Sequence, residues 1–194
     1  MKAITKCELY IMKLQKKLLG GLPMTGNQEL QIMQMFDVPK EIVFNMWTQP
    51  NHLKHWWAPI GFTVEIASIE LESGGTFHYS QTSADGQTLW GKFVFREIEN
   101  PNRLVFVNSF SDEMARTVRA PFHPNWPLEI LNKLIFTESN GKTTLLMQGI
   151  PVSASEEEQA LFRASHEGIK QGFTGTFDKL ESYLEELKEY VKMD

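Results

Sequence analysis

Residues 155–191 read SEEEQALFRASHEGIKQGFTGTFDKLESYLEELKEYV. Apolar residues recur at Phe162, Ile169, Phe173, Phe177, Leu180, Leu184, Leu187 and Val191, in steps of three, four or their sum. That spacing gathers side chains on one face of an α-helix. His166 is the only polar residue on the stripe. Ser155 with Glu158 three residues on makes a capping box, and Glu156 and Glu157 suit the positive end of a helix dipole. Lys188 and Lys192 fall in the last turns, where cations are favourable. The pattern predicts one long helix over 155–191, whose single apolar face must be buried against another layer.

The preceding residues supply that layer. Over 28–36, Leu30, Ile32, Gln34 and Phe36 alternate with Met33 and Met35, as in a strand. Asp37-Val38-Pro39 opens a short helix carrying Ile42, Val43, Met46 and Trp47. Pro50 starts a second one through His52, Leu53, Trp56 and Trp57. Strand patterns follow over 62–71, 76–82, 88–98, 103–110, 129–138 and 142–152. They are separated by turn signals such as Gly74-Gly75, Asp85-Gly86 and Asn140-Gly141. Residues 111–128, with two arginines and three prolines, break the rhythm and read as a long loop. The expected class is α+β: an antiparallel seven-stranded sheet packed on the C-terminal helix.

Composition sets bounds on function. The 194 residues are 42% apolar and 22% charged, suited to one globular domain with its own core. No apolar run reaches the length of a membrane span. Cys7 is the only cysteine, so no internal disulfide is expected and a cytoplasmic location is the simplest expectation. The net charge of -5 is uneven: residues 1–26 carry five lysines against Glu8, which leaves the remainder at -9. Such a body repels phosphate backbones, and nucleic acid is not an expected partner.

Residues 1–26 read as an extension separate from a domain over 27–194. Ile4, Cys7, Ile11, Leu14 and Leu18 make a short amphipathic stripe flanked by lysines, with Gly20, Gly21 and Pro23 as a stop. Any membrane contact is expected through this stripe alone.

Several local patterns fall together in a particular order. They are Val38-Pro39, Trp47-Thr48-Gln49-Pro50, Leu53 with Trp56-Trp57 and Pro59, Gly74-Gly75 with Phe77, Asp85-Gly86, and Trp90-Gly91 running into Arg96-Glu97-Ile98. Pro101, Arg103-Leu104-Val105-Phe106 and Gly172-Phe173 complete them. Over roughly residues 28–188 the chain resembles the SRPBCC (START/birch-pollen-allergen-like) superfamily, in the branch of activators of the heat-shock-protein-90 ATPase. The resemblance implies a helix-grip fold, in which a curved seven-stranded sheet grips the C-terminal helix and an internal pocket often holds an apolar ligand.

Eight residues are candidates for such a pocket. His166 lies on the apolar stripe, where an imidazole can bind a ligand or move a proton. Trp57, Trp90, Phe110, Trp126 and Phe173 offer rings for a flat or acyl ligand. The resemblance places Trp57 and Trp90 near the cavity mouth. Arg116 and Arg119, in the long loop beside Trp126, have the chemistry to clamp a carboxylate or phosphate. Each has a plainer role as well: core packing for the rings, surface charge for the arginines, and a solvated or loop-bonded position for His166. His52 and His55 are three apart, but no second ligand pair accompanies them, and neither metal nor cofactor is expected. No phosphate loop, dinucleotide fingerprint or Gly-x-Ser-x-Gly elbow is present.

Three functions remain open at this point. One is a binding protein for a small apolar or amphipathic molecule, held between sheet and helix. Another is a polyketide cyclase/aromatase-like enzyme, with His166 or a rim arginine assisting proton transfer. The last is a cochaperone-like module that stimulates a chaperone ATPase, as the resemblance suggests. Monomer and homodimer are both compatible with the sequence.

Overall fold

The computed structural model describes residues 29–192, so the amphipathic stripe between Ile4 and Leu18 lies outside the described residues. Seven strands form one antiparallel sheet: β1 (Leu30–Phe36), β2 (Phe62–Ile69), β3 (Thr76–Ser83), β4 (Thr88–Glu99), β5 (Arg103–Ser111), β6 (Ile130–Ser139) and β7 (Lys142–Pro151). Their order is β1-β7-β6-β5-β4-β3-β2, so β1 and β2 are the edges. Helices α1 (Lys40–Thr48) and α2 (Pro50–Trp56) follow β1, and α3 (Glu156–Ala164) and α4 (His166–Lys192) follow β7.

The local chemistry explains these elements. In β1, Leu30 and Phe36 are buried while Met33 and Met35 face outward, which is the predicted alternation. Pro39 caps α1 rather than opening it: its carbonyl accepts from Ile42 and Val43, at 3.1 and 3.3 Å. Pro50 occupies the first turn of α2, where its missing N–H costs nothing. Asn140 and Gly141 both take left-handed φ values, 53° and 73°, as the tight β6–β7 turn requires.

The helix expected as one rod over 155–191 is two segments. Ser155 forms the anticipated capping box, its Oγ accepting from the Glu158 N–H while the Glu158 carboxylate accepts the Ser155 N–H. At Ser165 the rod breaks. The Ser165 Oγ donates to the Leu161 carbonyl at 2.7 Å, and its N–H is shared between Leu161 and Phe162. Thr174, Thr176 and Ser182 make the same bond further along without a break, so the hydroxyl alone does not end the segment. The Ile169 N–H still donates to the Ser165 carbonyl, so α4 begins without a gap.

Rings fill the middle of the space between sheet and helix. Trp47, Trp56, Phe77, Phe93, Phe95, Phe106 and Phe177 are fully buried. Phe93 stacks on Phe106 with centroids 4.0 Å apart, and Phe177 meets Phe36 edge-on at 6.0 Å, joining α4 to β1. Polar contacts fix α2 against α4. Lys179 Nζ donates to the Ala58 carbonyl at 3.0 Å, and His52 Nδ1 lies 2.9 Å from the Tyr183 hydroxyl. Gly175 gives close approach: a Cβ there would sit 3.2 Å from Ile60 Cδ1.

Candidate functional site

Beyond Phe93 the packed rings give way to polar side chains. On the core face of β3, Phe77 is followed by Tyr79 and Gln81; on β4, Phe93 is preceded by Gly91 and Leu89; on β5, Phe106 is followed by Asn108 and Phe110. Tyr79, Gln81, Leu89, Gly91, Asn108 and Phe110 line a cleft of about 50 Å³, which Trp90 and Ser109 border. Gly91 makes it possible. A Cβ at this position would stand 2.7 Å from the Tyr79 hydroxyl and ring, so only glycine lets the phenol lie over β4.

Hydrogen bonds orient the polar lining. Gln81 Nε2 donates to the Trp57 carbonyl at 2.8 Å. Asn132 Nδ2 donates to Asn108 Oδ1 at 2.6 Å, which leaves the Asn108 amide group as a donor. Burial pushes the Tyr79 hydroxyl up to about 12, so it stays protonated. The Trp57 indole N–H opposes that shift, yet it is buried without a hydrogen-bond partner among the described residues.

An arc of rings runs from this cleft to the helices. Phe110 meets Phe122 at 5.6 Å, Phe122 meets Trp126 at 5.2 Å, Trp126 meets Phe162 at 5.9 Å, and Phe162 meets His166 at 5.1 Å. The long loop thus bridges the end of β5 to α3 and the start of α4. On the other side, Phe173 of α4 faces Trp57 at 6.3 Å, and Trp57 meets Tyr79 at 6.1 Å. His166 Nε2 is buried without a partner among the described residues. Burial, then the charges of Lys170 and Arg163, lower the pKa of His166 from its ordinary value, with Glu167 acting in the opposite direction. Burial therefore favours its neutral form.

Five of the eight expected site residues, Trp57, Phe110, Trp126, His166 and Phe173, thus belong to one connected surround. The other three are placed differently. Trp90 borders the cleft, but its ring stacks on His78 at 4.7 Å on the convex face of the sheet, opposite Phe77 and Tyr79. Arg116 is paired with Asp112, which accepts from the Arg116 and Met114 N–H groups as well; these bonds hold the Asp112 carboxyl below its usual range. Arg119 is paired with Glu158 and also donates to the Trp126 carbonyl. It ties the loop to the cap of α3, and its hydrogen bond lowers the Glu158 pKa. Each of the two arginines suggested as an anion clamp is thus paired with a carboxylate of its own chain. His52 and His55 both pack on Tyr183, and no group of metal ligands occurs among the described residues.

Tyr79, Gln81, Leu89, Gly91, Asn108, Phe122 and Phe162 were not expected as site residues. Period-two counting from Phe77 and Phe93 was the signal for the first four, and it also puts Trp90 on the other face.

A seven-stranded antiparallel sheet curled on a C-terminal helix, with two short helices after its first strand, is the helix-grip α+β fold. Residues 37–185 match the family described as "Activator of Hsp90 ATPase homolog 1-like protein", and the chain belongs to that family. Among solved structures it is similar to protein Ms6760 from Mycobacterium smegmatis, with TM-score 0.66 and 23% identity over 81% of this chain and 90% of that one. It is also similar to a protein from Arthrobacter aurescens, with TM-score 0.69 and 21% identity over 85% and 92%. A third similar structure is DynU16, described as a putative protein in the dynemicin biosynthetic locus, with TM-score 0.56 and 18% identity over 82% of this chain and 48% of that one. A comparison with curated proteins found no match.

Proposed function

We propose that the chain is a binding protein for a small amphipathic molecule, taken at the open end between β3–β5, the long loop and α4. Three buried ring nitrogens have no partner among the described residues, Trp47 Nε1 in the packed core and Trp57 Nε1 and His166 Nε2 around the cleft, and the last two carry this reading. Both of these belong to the aromatic surround of the cleft. A buried polar group left unpaired costs about 1–3 kcal/mol, so a partner that enters the site recovers part of that cost. The cleft itself is small beside the roughly 300 Å³ or more of a drug-sized site. It receives one functional group, while the apolar body of the ligand rests on Leu89, Phe110 and the arc of rings.

The test is titration of the purified chain with charged and uncharged apolar compounds, followed by tryptophan fluorescence. Saturable binding in the wild type, lost in Leu89→Trp, supports the proposal. No saturable binding of any compound sinks it.

A second reading has its own support. The half-buried His166 imidazole, with its Nε2 unpartnered and its neutral form favoured, can accept a proton, which fits a cyclase-like enzyme. If that reading holds, the rate on a reactive polyketide-like chain falls as pH drops below the pKa of His166 and is abolished in His166→Leu, while binding persists. Turnover that is unchanged in His166→Leu excludes it.

A further inference from the structure

Resting on the ligand-binding reading above, we propose that the cleft recognises an uncharged oxygen acceptor, the carbonyl of a ketone, ester or amide, and rejects carboxylates. Tyr79 and Asn108 line the cleft with neutral hydrogen-bond donors, and a third neutral donor, the Trp57 N–H, belongs to a ring that meets Tyr79 at 6.1 Å. The Trp57 N–H is more than nine-tenths buried and has no acceptor among the described residues. The Tyr79 hydroxyl lies over Gly91 in the cleft. The Asn108 amide group is left as a donor because its oxygen is taken by Asn132. A lining of donors calls for an acceptor, and a carbonyl oxygen has two lone pairs to offer.

Charge then separates the kinds of acceptor. None of the residues lining the cleft is a lysine, arginine or histidine. The cations nearby in the fold are committed elsewhere: Arg119 to Glu158, Arg116 to Asp112, Lys92 to the Ala115 carbonyl and Lys179 to the Ala58 carbonyl. A carboxylate entering the cleft would lose its water without gaining a counter-charge, whereas a carbonyl gives up far less. With its hydroxyl pushed up to about 12, Tyr79 stays protonated near neutral pH and cannot supply a competing anion.

Three probes with one apolar body test this: acetylnaphthalene, ethylnaphthalene and naphthoate. They are titrated into the full chain labelled with nitrogen-15, and the indole N–H signals of its five tryptophans are followed. Trp57 is assigned by the signal missing from Trp57→Phe. The ketone is expected to move the Trp57 signal saturably and to bind about tenfold more tightly than the hydrocarbon, as one satisfied buried donor implies. Naphthoate is expected to bind more weakly than either. Tyr79→Phe brings the ketone towards the affinity of the hydrocarbon and leaves the hydrocarbon unchanged. Equal binding of ketone and hydrocarbon with a stationary Trp57 signal, or tightest binding of naphthoate, overturns the carbonyl subsite while the ligand-binding reading stands. If none of the three binds, both fall.

Discussion

Gly91 and Tyr79 show how one missing atom builds the site. With a Cβ 2.7 Å from the phenol, Gly91→Ala forces the ring off β4. The expected cost is about 1–3 kcal/mol, the usual penalty of overpacking, measured by urea unfolding. A stability equal to wild type would mean that Tyr79 does not rest where the cleft needs it. The histidines give a second prediction. Burial, followed by the charge of His55, lowers the pKa of His52, and burial also leads the lowering at His166. Both favour the neutral form in the fold, so the unfolded chain binds more protons below the ordinary value of 6.5. Their contribution is complete above that value and is lost as pH falls through the lowered pKa values. The melting temperature should be flat above about pH 7 and fall below about pH 6.5, with a shallower fall in His52→Gln and His166→Gln. Asp112 and Glu158, with lowered carboxyl pKa values, lose their contributions only in more acidic solution. An unchanged melting temperature between pH 7 and pH 5 would contradict the histidine assignment. The orphaned nitrogens were not readable in the sequence, because they depend on ring angles that spacing does not encode. The face of each strand residue was readable. Trp90 is one residue out of phase with Gly91 and Phe93, and counting by two puts it on the convex side.

Among the elements, α3 and the long loop act as one device. Glu158 closes the capping box on Ser155 and also holds Arg119, whose guanidinium reaches the Trp126 carbonyl. Ser155→Ala should remove only the cap, at about 1 kcal/mol. Glu158→Ala removes cap and tether together, and hydrogen exchange over residues 119–128 should accelerate beyond that of Ser155→Ala. Equal protection of that loop in the two variants would show that the tether does not order it. The cap was legible from Ser155 and Glu158 alone, since its chemistry is local. The break at Ser165 was not, because the apolar stripe runs through it without a change of spacing from Phe162 to Ile169. A serine in mid-helix bonds either solvent or the preceding turn, and only the fold shows that Ser165 bonds Leu161. The pairing of Arg119 with Glu158, 39 residues away, was beyond any local pattern.

For the whole molecule, strand alternation and turn residues placed all seven strands to within two residues, because each strand has one core face and each turn a residue suited to it. The interior was harder to foresee. Apolar periodicity says which face is buried, but not how many rings fill the space beneath it. Phe77, Phe93, Phe106 and Trp56 fill the centre and leave the cleft at one end. The proposed function therefore rests on that end of the sheet, on Tyr79 and Asn108 in the cleft, Trp57 beside Tyr79 and the arc from Phe110 to His166. The most direct measurement is thermal melting of the wild type and Leu89→Trp with a panel of uncharged carbonyl compounds bearing aromatic or alkyl bodies. At least one compound at about a hundred times its dissociation constant should raise the melting temperature of the wild type by about 5 °C and leave Leu89→Trp unmoved. If no compound shifts the wild type, or the same compounds shift both proteins equally, the cleft is not a ligand site.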